Sequence, residues 1–233
     1  MIICIETATN LCSVALCDRR GMISLKESND MKSHASMLTV FIGDIFKETG
    51  INASELEAVA VSKGPGSYTG LRIGVSVAKG MAYAASIPLI GIETTFSMFT
   101  GMSERMKEEG DPVKDIIYCP MLDARRMEVY YALYDPGGRA VKDISAEIIN
   151  EDSFASLPES HRIIFFGDGA LKCKNILKRN NIAFADDFTM SASYMRIPAL
   201  KALDAKRFED IAYFEPFYLK DFITTTQRKN ILG

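Results

Sequence analysis

Apolar residues over the first hundred positions fall into short runs separated by longer helical patterns. Ile2–Glu6 opens with a short apolar run, Cys12–Cys17 reads as a buried strand, and Gly21 turns the chain into a third strand over Met22–Glu27. Three strands joined by short turns predict an antiparallel meander. Beyond Ser33, a candidate N-cap, apolar residues recur at Met37, Leu38, Phe41, Ile42, Ile45 and Phe46. A doublet every four residues predicts a helix with one wide apolar face, and Gly50 stops it. Ala58–Val61 predicts the next strand, and the Gly64–Gly66 turn leads into a helix from about Gly70 to Ala85. A strand at Pro88–Ile92 and a helix from about Thr95 to Lys107 complete a βββαβαβα unit.

Asp111-Pro112 is the expected boundary between an amino-terminal domain (1–110) and a carboxy-terminal one (111–233). Strands are predicted at Ile116–Leu122, Glu128–Tyr134 and, after the Asp135-Pro136-Gly137-Gly138 turn, Ala140–Ile149. A helix near Asp152–Ser156, a strand at Arg162–Phe166, and helices near Leu171–Arg179 and Met195–Lys206 follow. The second half thus repeats the plan of the first with a blurred ending. Such a repeat predicts an α/β protein of two similar domains facing each other across a cleft.

Charge and composition narrow the function classes. The 233 residues are 48% hydrophobic and 24% charged, with a net charge of −3. An acidic chain with a pI near 5.5 lacks the basic stripe that drives unaided binding to nucleic acid. Lys220, Arg228 and Lys229 make the end locally basic and read as a solvated tail. Glu6 interrupts the apolar start, so no signal peptide is expected, and Lys79 and Pro88 break the most apolar stretch, Ala78–Ile92. A cytoplasmic protein without membrane contact is the expectation. Five cysteines without C-x-x-C spacing read as reduced, buried thiols, and two histidines, His34 and His161, are too few for a His-rich zinc site.

The most informative run is Gly64-Pro65-Gly66-Ser67-Tyr68-Thr69-Gly70-Leu71-Arg72-Ile73-Gly74. Glycines at a strand-to-helix turn can cradle an anion at the helix N-terminus. This run, however, matches neither the P-loop nor G-x-G-x-x-G. Continued into the helix, Gly70, Gly74, Ala78 and Ala82 fall four apart and line one face that another helix can approach closely. That face either packs on the protein's own sheet or receives a partner.

With Ile5-Glu6-Thr7-Ala8-Thr9, Pro88-Leu89-Ile90-Gly91-Ile92, Leu122-Asp123-Ala124-Arg125, Glu128-Val129-Tyr130 and Pro216-Phe217-Tyr218-Leu219, the glycine run resembles the TsaB (YeaZ) family. The resemblance is spread over nearly the whole chain. It implies a duplicated actin-like fold of the sugar-kinase and ribonuclease H-like type. It further implies a role in making threonylcarbamoyladenosine on tRNA, as the non-catalytic paralogue that forms a heterodimer with TsaD, joined by the ATPase TsaE. Contact with tRNA would then come only through the complex, no cofactor or metal would be required, and homodimerisation in the absence of the partner stays open. On this resemblance the stripe Gly70, Gly74, Ala78, Ala82, with Met37 and Phe41 from the preceding helix, is the expected partner interface.

The residues also speak to the loss of chemistry. The two metal-binding histidines of TsaD-like proteins lie four apart on the first long helix, and here His34 is followed by Leu38. ATPases of this fold place an Asp and a Gly/Thr turn after the first strand, where this chain has Glu6-Thr7-Ala8-Thr9. A vestigial nucleotide site is the most these residues support: Glu6, Thr7 and Thr9 on one side, Asp123, Gly167 and Gly169 on the other. For Asp123 and the glycines, a loop salt bridge and an ordinary strand-to-helix turn are the simpler reading. The enzyme alternatives are a stand-alone metallopeptidase, against which Leu38 counts, and a small ATPase or kinase, against which the Glu6–Thr9 turn counts.

Overall fold

The computed structural model describes residues 1–29, 34–110 and 115–220. The candidate cap Ser33, the boundary Asp111-Pro112 and the basic residues Arg228 and Lys229 lie outside them. In chain order the elements are β1 (Ile2–Glu6), β2 (Cys12–Cys17), β3 (Met22–Ser28), α1 (His34–Thr49), β4 (Ala58–Gly64), α2 (Tyr68–Ala85), β5 (Leu89–Glu93) and α3 (Thr94–Glu108). They continue with β6 (Ile116–Asp123), β7 (Glu128–Tyr134), β8 (Ala140–Ile148), β9 (Arg162–Phe166), α4 (Asp168–Cys173), β10 (Ile182–Ala185) and α5 (Arg196–Asp204).

Two five-stranded sheets share one plan. The first runs β3-β2-β1-β4-β5 and the second β8-β7-β6-β9-β10, so each has an antiparallel meander continued by parallel strands. This is the expected duplicated α/β fold. Because helices cover both faces of the first sheet, its central strands are apolar at almost every position rather than at alternate ones. Ile3, Ile5, Val59 and Val61 face α1 and α2, while Ile2, Cys4, Ala58 and Ala60 face α5. All five cysteines are buried and unpaired within these layers.

The packing crosses the expected division at residue 110. Helix α3 lies between the sheets, and its Met98, Phe99, Met102 and Met106 share a core with Tyr118, Tyr134 and Phe166 of the second sheet. Conversely, Met195, Ala199 and Leu200 of the α5 region pack on the first sheet. Residues 209–218 return to it as well: Glu209 N–H donates to Leu89 O at 2.8 Å, Phe217 N–H to Lys63 O at 2.6 Å, and Phe214 is buried in the α1–α2 core. Lys79 Nζ reinforces this strap by donating to Phe214 O at 2.9 Å.

The second half departs from its predicted elements in three places. Residues 152–156 form turns instead of a helix, because the Asn150 side chain accepts hydrogen bonds from Asp152 N–H and the Ser153 hydroxyl, giving the backbone a local alternative. The helix expected near Leu171–Arg179 starts earlier and ends at Cys173. The short strand β10, absent from the expectation, pairs parallel to β9.

Candidate functional site

The glycine run proves to be a set of close approaches within the chain. Ser67 caps α2 by accepting the Gly70 N–H at 3.2 Å. A Cβ at Gly64 would stand 2.5 Å from Phe217 O, at Gly66 2.3 Å from Ala8 O, at Gly70 2.0 Å from Thr7 O, and at Gly74 2.2 Å from Thr7 Oγ1. Only glycine permits these distances. The missing side chains let α2 descend onto the Thr7–Ala8 turn at the end of β1. Two hydrogen bonds lock it there: the Thr7 hydroxyl donates to Gly70 O at 2.8 Å, and Ser67 N–H donates to Ala8 O at 2.6 Å.

The stripe expected to face a partner therefore faces inward. Gly70, Gly74, Ala78 and Ala82 are all buried, the two alanines completely, and Phe41 belongs to the same core with Met37 packed against it. The four-residue spacing correctly placed these positions on one face. That face meets the Thr7–Ala8 turn after β1 and the core of the protein's own first sheet.

Glu6 ends β1 and is fully buried. Its carboxylate accepts the Ala8 N–H at 2.6 Å and the Ser62 hydroxyl. Burial pushes its pKa up to about 7, against the opposing effect of the hydrogen bonds from Ser62 and the Ala8 and Thr7 backbone. Ser62 was not anticipated, since it shares a strand face with Ala58 and Ala60 and nothing in the local pattern marks it. Thr9 turns the chain by accepting Leu11 N–H at 3.2 Å.

Asp123 ends β6, the strand equivalent to β1. It accepts the Arg125 N–H at 2.8 Å and the Lys172 ammonium, which also donates to Glu128 O at 2.6 Å and Arg126 O at 2.8 Å. Asp168 accepts Asp123 N–H at 3.0 Å, and its own pKa is raised, chiefly by burial. Gly167 has φ +97°, and a Cβ there would stand 2.4 Å from Met121 O; one at Gly169 would stand 2.7 Å from the Leu122 carbonyl carbon. The structure thus brings Asp123, Gly167 and Gly169 together as an ion-paired turn packed on β6. It brings Glu6 and Thr7 together beneath α2. In both halves the polar groups at the strand ends are engaged by their own chain.

A family model for TsaD, tRNA N6-adenosine threonylcarbamoyltransferase, matches residues 28–222. The chain belongs to the TsaD family. Curated relatives that it resembles include proteins named TsaB. The Escherichia coli K12 protein, tRNA threonylcarbamoyladenosine biosynthesis protein TsaB, is 35% identical over 133 residues, which is 57% of this chain and 54% of that protein. The Bacillus subtilis 168 protein of the same name is 26% identical over 167 residues, covering 71% of this chain and 69% of that one. The chain spans about half the length of the first curated relatives it matches. YeaZ from Pseudomonas aeruginosa shares the fold with a TM-score of 0.77 at 22% identity, over 94% of this chain and 99% of that one.

Two further features bear on what a TsaD-family chain of this kind can do. Leu38, four positions after His34, is fully buried in the first core. Among the described residues no group of three His, Cys, Asp or Glu side chains is placed to hold a metal ion. The exposed side of α1 and α2 differs from the inner one: Val40 is 48% and Tyr83 78% exposed, a side chain at Gly43 or Gly80 would meet open space, and Ile73, Val77 and Met81 are half-buried at the edge of the first core.

Proposed function

We propose that this chain is a non-catalytic subunit in the formation of threonylcarbamoyladenosine on tRNA, working by pairing with a TsaD-type transferase and activating it. The observation that carries this reading is the closure of the first-strand turn. In a working phosphotransfer site of this fold the acidic group at the strand end and the following turn would have to be open to nucleotide and metal-bound water. Here the Glu6 carboxylate is spent on Ser62 and Ala8, and Thr7 on Gly70. The chain contributes a surface in place of a reacting group. That surface is the outer face of α1 and α2, where apolar side chains and two open glycines allow a second helix pair to come close. A TsaE-type ATPase would join the pair, and tRNA would be reached only through the complex, since a chain of net charge −3 has little to offer phosphate.

The test is co-purification with the TsaD homologue of the same organism, followed by threonylcarbamoyl transfer to tRNA with and without this chain. Transfer should depend on both proteins. Transfer or ATP hydrolysis by this chain alone would contradict a non-catalytic role.

A further inference from the structure

Away from the α1–α2 face, the strap 209–218 roofs a groove at the carboxyl ends of β4 and β5, the end of a parallel sheet where α/β folds gather ligands. A cavity of about 600 Å³ lies between the strap and the two strand ends, Lys63 and Glu93. A second cavity of about 230 Å³ shares Glu93 and Phe217 with it and extends to Tyr134 and Asp143 of the second sheet. The two lie side by side across Glu93 and Phe217, between the strap and the β7–β8 strands, and together make a shallow trough. Its aromatic surface comes from Phe214, which is buried, Phe217, which is 40% exposed, and Tyr213, which is 84% exposed.

The charge of the trough is one-sided. Glu93, Glu209, Asp210 and Glu215 line the larger cavity and Asp143 the smaller, against the single ammonium of Lys63. Lys63 stands 4.0 Å from Glu93 and offsets one of the five carboxylates. Such walls repel phosphate and carboxylate ligands. They favour a cation that can form charge-assisted hydrogen bonds with the carboxylates while its flat or aliphatic part lies on an aromatic ring.

We propose that this trough binds a basic segment of a partner protein, taking an arginine or lysine side chain between Glu93 and Glu209 and over the Tyr213–Phe217 aromatic surface. Charge complementarity selects the chemistry of the occupant. The side-by-side placement of the two cavities selects its form, because adjoining hollows suit an extended peptide better than a compact molecule. The site is independent of the α1–α2 pairing face, so either assignment stands if the other fails.

The experiment measures fluorescence anisotropy of a labelled peptide of alternating glycine and arginine, titrated with the full chain at about 0.15 M salt, where distant surface charge is largely screened. Glu93→Gln combined with Glu209→Gln keeps shape while removing two charges, and should weaken binding at least tenfold with an unchanged melting temperature. Tyr213→Ala should weaken it several-fold. Glu159→Gln, which removes an exposed carboxylate elsewhere, should leave it unchanged. Four results would overturn the assignment. One is the absence of saturable binding, and a second is equal loss in Glu159→Gln, which would reduce the effect to general acidity. Another is displacement of the peptide by spermidine at equal or lower concentration, which would make the occupant a free polyamine. The last is saturable binding of ATP to the chain in the absence of peptide, weakened by Tyr213→Ala, which would make the trough an anion site.

Discussion

The inward stripe on α2 predicts a mutational cycle with a change of sign. Replacing Gly74 by alanine supplies a better helix former, worth about 1 kcal/mol in an open position. It also sets a Cβ 2.2 Å from Thr7 Oγ1, far inside van der Waals contact. Thr7 must then rotate or the helix must lift. Rotation breaks the buried hydrogen bond from Thr7 to Gly70 O, at roughly 1 kcal/mol or more, and lifting overpacks the layer at about 1–3 kcal/mol. The net effect is a loss of up to about 2 kcal/mol, and a chain of this length melts about 2–4 °C lower per kcal/mol. Thr7→Ala removes the clashing oxygen, and the nearest remaining Thr7 atom is its own Cβ at 3.4 Å from the new carbon. In that background Gly74→Ala should become neutral or stabilising, giving a coupling energy of about 2 kcal/mol. Gly80→Ala, at an open position of the same helix, should stabilise both backgrounds alike. Thermal and denaturant unfolding of the four proteins of the cycle provide the measurement. If Gly74→Ala stabilised the wild-type chain as much as Gly80→Ala does, or the cycle closed without coupling, the inward packing of the stripe would be wrong.

Glu6 gives a pH prediction of definite sign. Its folded pKa of about 7 lies above the ordinary 4.5, so its contribution to stability is fully present below about 4.5 and is lost as pH rises through about 7. The linkage amounts to roughly 3 kcal/mol at most, and Glu6→Gln should flatten stability between about pH 5 and 8; an unchanged slope would show that another group titrates. Gly80→Leu on the outer face should leave the chain folded while weakening pairing with the TsaD homologue about 5–150-fold, the range that overpacking of about 1–3 kcal/mol implies, and unaltered pairing by calorimetry would move the interface elsewhere. Phe214→Ala should lower stability by about 3 kcal/mol if the strap belongs to the first core, whereas Tyr218→Phe, which loses only a surface hydrogen bond from Arg72, should cost under about 1 kcal/mol. Equal effects of these two changes in a denaturant titration would mean that the strap is peripheral.

Local rules determined much of this molecule. Alternation and turn residues located nine of the ten strands among the described residues, because a strand buried on both faces needs a continuous apolar run whatever packs on it, as β1 and β4 illustrate. Helix α1 was legible from its 3.6-residue period and its stop at Gly50, and the expected spans of α2 and α3 fall within two residues of the observed ends. The resemblance to the TsaB (YeaZ) family could be read from motifs because close approaches such as Gly66 on Ala8 and Gly70 on Thr7 admit a single residue type. What those motifs serve was decided only in three dimensions. Spacing puts Gly70, Gly74, Ala78 and Ala82 on one face, yet a small-residue face suits an inner strand turn as well as a partner helix, and the position of Thr7 chose between them. Tertiary packing likewise carried α3 to the second sheet and brought α5 and the strap 209–218 back to the first, since burial depends on which apolar faces meet and not on which are adjacent in sequence. The acidic trough belongs wholly to this level, for its walls come from β4, β5, β7, β8 and the strap, segments joined only by the fold.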